Sequence, residues 1–396
     1  MSKSLPTKIT LLLVSTLTVM SGATIAPSLP AMQDYFSGVE NAAFWVRLVL
    51  TVPALAIVVG SPIAGLVVDS IGRKPLLTVS AVLYGIGGTS GFFLDSLFAI
   101  LLGRGLLGLA VAGIMVSATT LIADYYQGES RANFMGLQAA FMGFGGVIFL
   151  STGGYLADLN WRSPFLIYLF AWILLPLIVF SLYEPKLVQS KNNSNSKQNL
   201  ALFPTKLLIL IYGSVLLMQI VFYLIPIQLP FYLRDLIGAN AARSGLAIAF
   251  STLFSAFSSM AYGKIKQRFN YVVILALSFT LVGVGYMILG RAINYPVVLL
   301  GLVITGCGLG LLIPNLNVWL SAEIPHSLRG RALGGLTTAM FLGQFLSPIL
   351  TQPLTNNFGL AATYSIPGLA LTILGFLFWA RKKFICRLIS SEFGMS

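Results

Sequence analysis

Residues 65–74 read Gly65-Leu66-Val67-Val68-Asp69-Ser70-Ile71-Gly72-Arg73-Lys74, a tight charged turn between two apolar runs, 45–68 and 76–94. Each run is close to the roughly 20 residues that an α-helix needs to cross the hydrocarbon core of a bilayer. Outward in both directions the pattern repeats. Further apolar runs cover 9–30, 97–123, 134–156, 164–183, 207–230, 245–263, 271–290, 297–320, 333–354 and 360–380, which with the first two predict twelve spanning helices. Composition agrees: 57% of the 396 residues are hydrophobic and 9% charged, against about 25% charged in an ordinary soluble domain. A water-soluble surface is excluded.

The basic residues sort by side. With the N-terminus in the cytoplasm, Lys3, Lys8, Arg73, Lys74, Arg131, Lys264, Lys266, Arg268, Arg329, Arg331, Arg381 and Lys382 all fall on cytoplasmic connections, whereas Arg47, Arg162, Arg234, Arg243 and Arg291 fall opposite. That bias places both termini inside. The formal charge of +13 therefore reflects topology and an edge facing anionic lipid, and no nucleic-acid partner is expected. The apolar stretch behind Lys3 and Lys8 runs to Leu29 with no A-x-A site, so it is taken as the first span and not as a cleaved leader. Cys307 and Cys386 have neither metal-ligand spacing nor the density of a disulfide framework. They are taken as structural, and no metal or cofactor is expected.

The long hydrophilic stretch from Glu184 to Lys206 divides the chain. The expected organisation is a bundle over 1–185, a linker over 186–206, and a second bundle over 207–396 with a short basic tail. At an offset of 200, Leu29-Pro30 is echoed by Leu229-Pro230 and Arg131-Ala132 by Arg331-Ala332, which suggests a duplicated six-helix unit.

The turn quoted above resembles the loop signature of the major facilitator superfamily, and the resemblance extends over nearly the whole chain. It implies an all-α integral membrane protein of twelve transmembrane helices in two pseudo-symmetric six-helix bundles around a central cavity. By that likeness Gly65, Asp69, Gly72, Arg73 and Lys74 form a cytoplasmic latch with Asp124 and Arg131. Asp69 would face the positive N-terminus of a neighbouring helix, and Arg73 would pair with Asp124. Leu102-Gly103-Arg104-Gly105-Leu106 is similar to the second signature, an arginine buried in the fourth helix. Arg104 either faces the cavity, binding an anionic substrate group or biasing a protonation, or snorkels to the interface near Asp95. Gly136, Gly145, Gly153 and Gly154 stand at the spacings of the antiporter signature and would let helices approach closely, but Phe149-Leu150 replaces its Gly-Pro.

The acids all lie at or beyond span ends, and Met20-Ser21 stands where drug exporters in this family often carry a helix 1 acid. Proton coupling would then use Asp34 drawn into the cavity, or Arg104 with a substrate carboxylate, or no protein site. His326, the single histidine, lies between spans. The family's cavity-lining helices offer Thr24, Gln219, Tyr223, Gln228, Asn315, Asn317 and Trp319, with Gln138 and Gln344 from two others. For each of these a helix–helix hydrogen bond is the competing role.

The expected function is a secondary transporter working by alternating access in a bacterial inner membrane. It would export a small hydrophobic or amphipathic compound, in exchange for protons if coupled, and act as a monomer among membrane lipids. Metabolite uptake is the alternative, and a non-transporting receptor or lipid scramblase is the alternative of another class. An enzyme is disfavoured because no nucleophile, base or metal ligands converge. No G-x-x-x-x-G-K-[S/T] loop for primary transport is present.

Overall fold

A computed structural model describes residues 4–185, 204–325 and 328–385. The linker centre, His326, Cys386 and Glu392 lie outside the described residues. Among those described there is no β-strand. The spans are α1 Leu5–Tyr35, α2 Ala42–Ile71, α3 Arg73–Phe93, α4 Leu97–Tyr125, α5 Gly128–Leu159, α6 Ser163–Ser181, α7 Thr205–Ile237, α8 Ala241–Lys266, α9 Tyr271–Leu289 and α10 Tyr295–Glu323. A last stretch, Arg329–Ala380, is broken at Gly359, whose φ of 81° no helix tolerates. It therefore forms two spans, α11 (329–358) and α12 (360–380). The twelve helices expected from hydropathy are present; α2, α5, α7, α8, α10 and α11 run several residues beyond their apolar runs, whereas α6 and α9 do not.

The described residues form two compact units, 4–185 with 225–249 as one, and 204–224 with 250–325 and 328–385 as the other. In the first unit, α1 is interrupted: its helix stops at Ala23 and a 3-10 turn, Ala26–Ser28, leads into Leu29–Tyr35. Pro27 and Pro30 account for this, since neither offers an N–H to the preceding turn. The neighbouring helices approach closely through glycine. A Cβ on Gly87 of α3 would lie 2.8 Å from the Gly103 carbonyl oxygen of α4, and one on Gly108 of α4 would lie 2.3 Å from that of Pro53 in α2.

In the second unit the first helix is also interrupted, ending at Phe222 before it resumes at Leu224. Its α9 packs on α10 through Gly285 and Gly301, and on α12 through Gly283 and Gly368. Large apolar side chains cover the outside of both units: Leu66, Phe93, Phe98 and Phe180 in one, Met260, Ile293 and Phe376 in the other. A surface of that kind is stable only against lipid.

Candidate functional site

The turn that opened the sequence reading builds a charged cluster at one end of the first unit. Gly72 ends α2 with φ 96°, a conformation that glycine adopts without strain. It presents the first amides of α3 outward. These are capped by a residue 110 positions away: Glu184, just past α6, accepts from the Arg73 amide (2.8 Å) and the Lys74 amide (2.7 Å). A carboxylate on a helix N-terminus meets both unpaired N–H groups and the positive end of the macrodipole. Gly72 is required a second time here, because a Cβ would stand 2.7 Å from the Glu184 carboxylate. Arg73 Nε donates to Asp124 Oδ2 at 3.1 Å, as expected of that pair. Lys74 Nζ donates to the Val179 carbonyl at 2.7 Å, and Tyr125 stacks on Tyr183 with 4.4 Å between ring centroids.

Asp69 is exposed and without an ion pair among the described residues, and the acid on the α3 N-terminus is Glu184. Arg131 is likewise exposed at the start of α5, and Gly65 has open space where a Cβ would be. The cap was missed because nothing local ties Glu184 to residue 73; only the packing of α6 on α3 brings them together.

Arg104 is neither at the interface nor at an open surface. It is 0% exposed inside the first unit, and all three of its guanidinium nitrogens are used. Nε donates to the Val49 carbonyl (2.9 Å), one terminal nitrogen to the Tyr168 hydroxyl (2.9 Å) and the other to the Ser21 carbonyl (2.7 Å). Local sequence creates these acceptors. Pro53 lacks the N–H that would bond Val49, and Ser21 lies in the last turn before α1 breaks, where carbonyls have no helical partner. Tyr84 completes the cluster, donating to the Leu17 carbonyl at 2.7 Å with its ring 5.7 Å from that of Tyr168. No carboxylate contacts the guanidinium among the described residues.

A second polar group occupies the opposite end of this unit. Arg47, read from sequence as a boundary charge, is only 4% exposed. It donates to Gln228 Oε1 (3.2 Å), Gln33 Oε1 (3.0 Å) and the Ala43 carbonyl (2.6 Å), and lies 4.2 Å from the Phe231 ring centroid. Beside it, Asp34 pairs with Arg234 at 2.7 Å. Asp34 is thus an exposed ion-pair member here and not a carboxylate drawn into the interior. Asp158 caps α8 through the amides of Ala241 (2.7 Å) and Ala242 (3.2 Å). The signal for Arg47 was its position inside an apolar run.

The remaining candidates divide by partner. Gln138 donates to the Ser15 hydroxyl at 2.8 Å, Asn315 to the Tyr271 carbonyl at 3.0 Å, and Asn317 to its own helix. Trp319 stacks on Tyr271. Thr24 returns its hydroxyl to the Met20 carbonyl. Tyr223 and Gln344 are buried within the second unit. Gln138 and Asn315 thus make the helix–helix hydrogen bonds that were the competing role. Gln219 differs: it is 7% exposed, and its Oε1 has no partner in the structure. Gly145, Gly153 and Gly154 are true contact glycines, against Thr16, the Thr24 carbonyl and α8 respectively. Gly136 is not, since a Cβ there would meet nothing within 4 Å.

An interrupted first helix in each unit, a capped charged turn between α2 and α3, and an arginine enclosed in α4 define a twelve-helix membrane transporter. The chain belongs to the Major Facilitator Superfamily, whose family model matches residues 11–348 and again 211–384. Among curated relatives it is similar to the tetracycline resistance protein, class H, of Pasteurella multocida, with 23% identity over 88% of either chain. It is also similar to the multi-drug resistance efflux pump PmrA of Streptococcus pneumoniae, with 26% identity over 87% of this chain and 89% of that one. Two solved structures share the fold at 16% identity. A D-xylose-proton symporter has a TM-score of 0.82, covering 94% of this chain and 97% of its own. A bacterial homologue of the lysosomal transporter Spinster, facing inward and unoccupied, has a TM-score of 0.78 with 97% of both covered.

Proposed function

We propose that this transporter exports a small hydrophobic or amphipathic compound from a bacterial cytoplasm across the inner membrane by alternating access, in exchange for protons, as a monomer with both termini inside. Export is supported by the names of full-length relatives, a tetracycline resistance protein and a multidrug efflux pump. Coupling is carried by one observation, the enclosed and carboxylate-free Arg104. A guanidinium with no carboxylate against it, in a low-dielectric interior, lowers the energy of any anionic group nearby. All described carboxylates are at span ends and exposed or half-exposed. A group on the substrate is therefore proposed to pair with the cation, while the exchanged proton returns inward on one of these span-end acids once the substrate has left. Gln219, with its unpartnered oxygen, is the proposed polar contact to the substrate in the second unit. The cluster of Glu184, Gly72, Arg73 and Asp124 serves as the cytoplasmic latch.

The test is counterflow and pH-jump transport in proteoliposomes, screening lipophilic cations, amphipathic anions and sugars against wild type and Arg104→Leu. Substrate movement driven by an imposed proton gradient, lost in the variant while exchange persists, is the expected result. Gradient-independent movement would overturn the coupling, and inward accumulation of a sugar would overturn export in favour of uptake.

A further inference from the structure

The second unit carries a groove of about 390 Å³ between α9 and α12. Phe269, Val273, Leu277, Phe376 and Trp379 supply its walls. Its two hydroxyls are turned inward to their own helices: Thr280 donates to the Ala276 carbonyl at 2.9 Å and Thr372 to the Gly368 carbonyl at 2.8 Å. The two hydroxyl protons are thus already spent, and the lining is predominantly apolar, suited to hydrocarbon. The aromatic residues are open to what lies outside, with Trp379 51% and Phe376 61% exposed.

Positive charge is gathered at one mouth. Phe269 precedes the N-terminus of α9 and Trp379 ends α12, so both helices finish at this level. Lys266 Nζ sits 3.9 Å over the Tyr271 ring and Lys382 Nζ 5.3 Å over the Trp379 ring. Arg268 is exposed next to Phe269, and Arg381 is exposed two residues past Trp379. Glu323 at the end of α10 is the one acid acting on Tyr271. A chain-sized apolar slot below a mouth of four cations matches a molecule with a hydrocarbon tail and an anionic head.

We propose that this groove binds an anionic phospholipid, one acyl chain lying between α9 and α12 and the phosphate held by Arg268, Arg381 and Lys382. Basic side chains near a membrane surface each attract anionic lipid, and their effects accumulate. Lys382, resting on the face of Trp379, holds its ammonium group at this mouth.

The experiment uses the full chain in phosphatidylcholine vesicles doped with brominated phosphatidylglycerol or brominated phosphatidylcholine at equal mole fraction. The Trp379 signal is taken as the difference between wild type and Trp379→Phe. Brominated phosphatidylglycerol is expected to quench it at least about threefold more strongly. That preference should vanish in Arg268→Gln/Arg381→Gln/Lys382→Gln and persist in Lys206→Gln/Lys264→Gln/Arg331→Gln, which removes the same charge from helices that do not line the groove. Quenching by brominated phosphatidylcholine in every variant shows that each has inserted. Equal quenching by the two lipids in wild type would overturn the proposal, as would equal loss of preference in both triple variants, the mark of a diffuse positive edge. So would protection of Trp379 from both lipids, the mark of a second copy over the groove.

Discussion

The two units meet the same structural problem with different chemistry. Each begins with a helix that breaks, and in each, side chains donate to carbonyls near the break. In the second unit the donors are neutral hydroxyls: Tyr286 to the Val221 carbonyl (2.6 Å), Ser347 to Ile220 (2.7 Å) and Tyr364 to Leu224 (3.2 Å). In the first unit Tyr84 and Thr24 do the same for Leu17 and Met20, but Ser21 is satisfied by the charge of Arg104. An offset of 198 relates Gly87 to Gly285 and Gly103 to Gly301, the glycines of corresponding helix contacts. The same offset sets Leu302, also 0% exposed, against Arg104. A broken helix in this fold therefore does not need a cation to be stable. The need to stabilise a broken helix thus does not by itself account for the cation in the first unit, which is why a role for its charge is proposed.

The largest effect should follow from making the first unit like the second. Arg104→Leu removes the donors to Val49, Ser21 and Tyr168 at once, leaving buried acceptors that cost about 1–3 kcal/mol each. Thermal unfolding in detergent should show a marked fall in midpoint, and proton-driven transport should be lost. Wild-type transport by Arg104→Leu would refute the argument that the charge has a function. Tyr286→Phe is the matched change in the second unit, deleting one hydroxyl and exposing one carbonyl to the core, for about 1–3 kcal/mol. Its stability should fall while the dependence of transport on a proton gradient stays as in wild type. If coupling changes instead, the division of labour between the units is wrong.

The latch gives a smaller effect. Glu184→Gln keeps one acceptor for the α3 amides but removes the charge that complements the helix N-terminus, a loss of about 0.3–1 kcal/mol at low salt. Raising the ionic strength should narrow the gap in unfolding midpoint between Glu184→Gln and wild type, because the partners are exposed. A gap that does not respond to salt would mean that Glu184 acts through packing and not through its charge.

How much of this could be read from the sequence depended on range. The spans were legible because hydropathy is summed over some twenty residues, and the Arg73–Asp124 pair because a recognised turn carried it. The division at Gly359 was legible as a polar break between two apolar runs, although its backbone conformation was not. Glu184 and Arg47 were missed for opposite reasons. The acid is tied to its helix end only by tertiary packing. The arginine stands so near the start of its run that hydropathy alone could not tell an edge charge from an enclosed one. The amides divided unpredictably, because a glutamine that ties two helices and one buried with an unpartnered oxygen have the same sequence context. Gln138 and Gln219 are told apart only by the presence or absence of a partner atom.

The smallest expected effect separates spacing from contact. Gly136 lies at the interval that also selects Gly145, Gly153 and Gly154, yet it alone of the four has free space at its Cβ position. In the interior of α5 a glycine costs about 0.8–1.0 kcal/mol relative to alanine. Gly136→Ala should therefore raise the unfolding midpoint slightly and leave transport unchanged. Gly153→Ala, which drives a methyl to 2.2 Å from the Thr24 carbonyl oxygen, should lower it. Should Gly136→Ala slow transport without destabilising the protein, then another conformation brings a neighbour against that face of α5. Gly136 would then be a contact glycine only in passing, and the interval that the sequence displays would describe the transport cycle and not this structure alone.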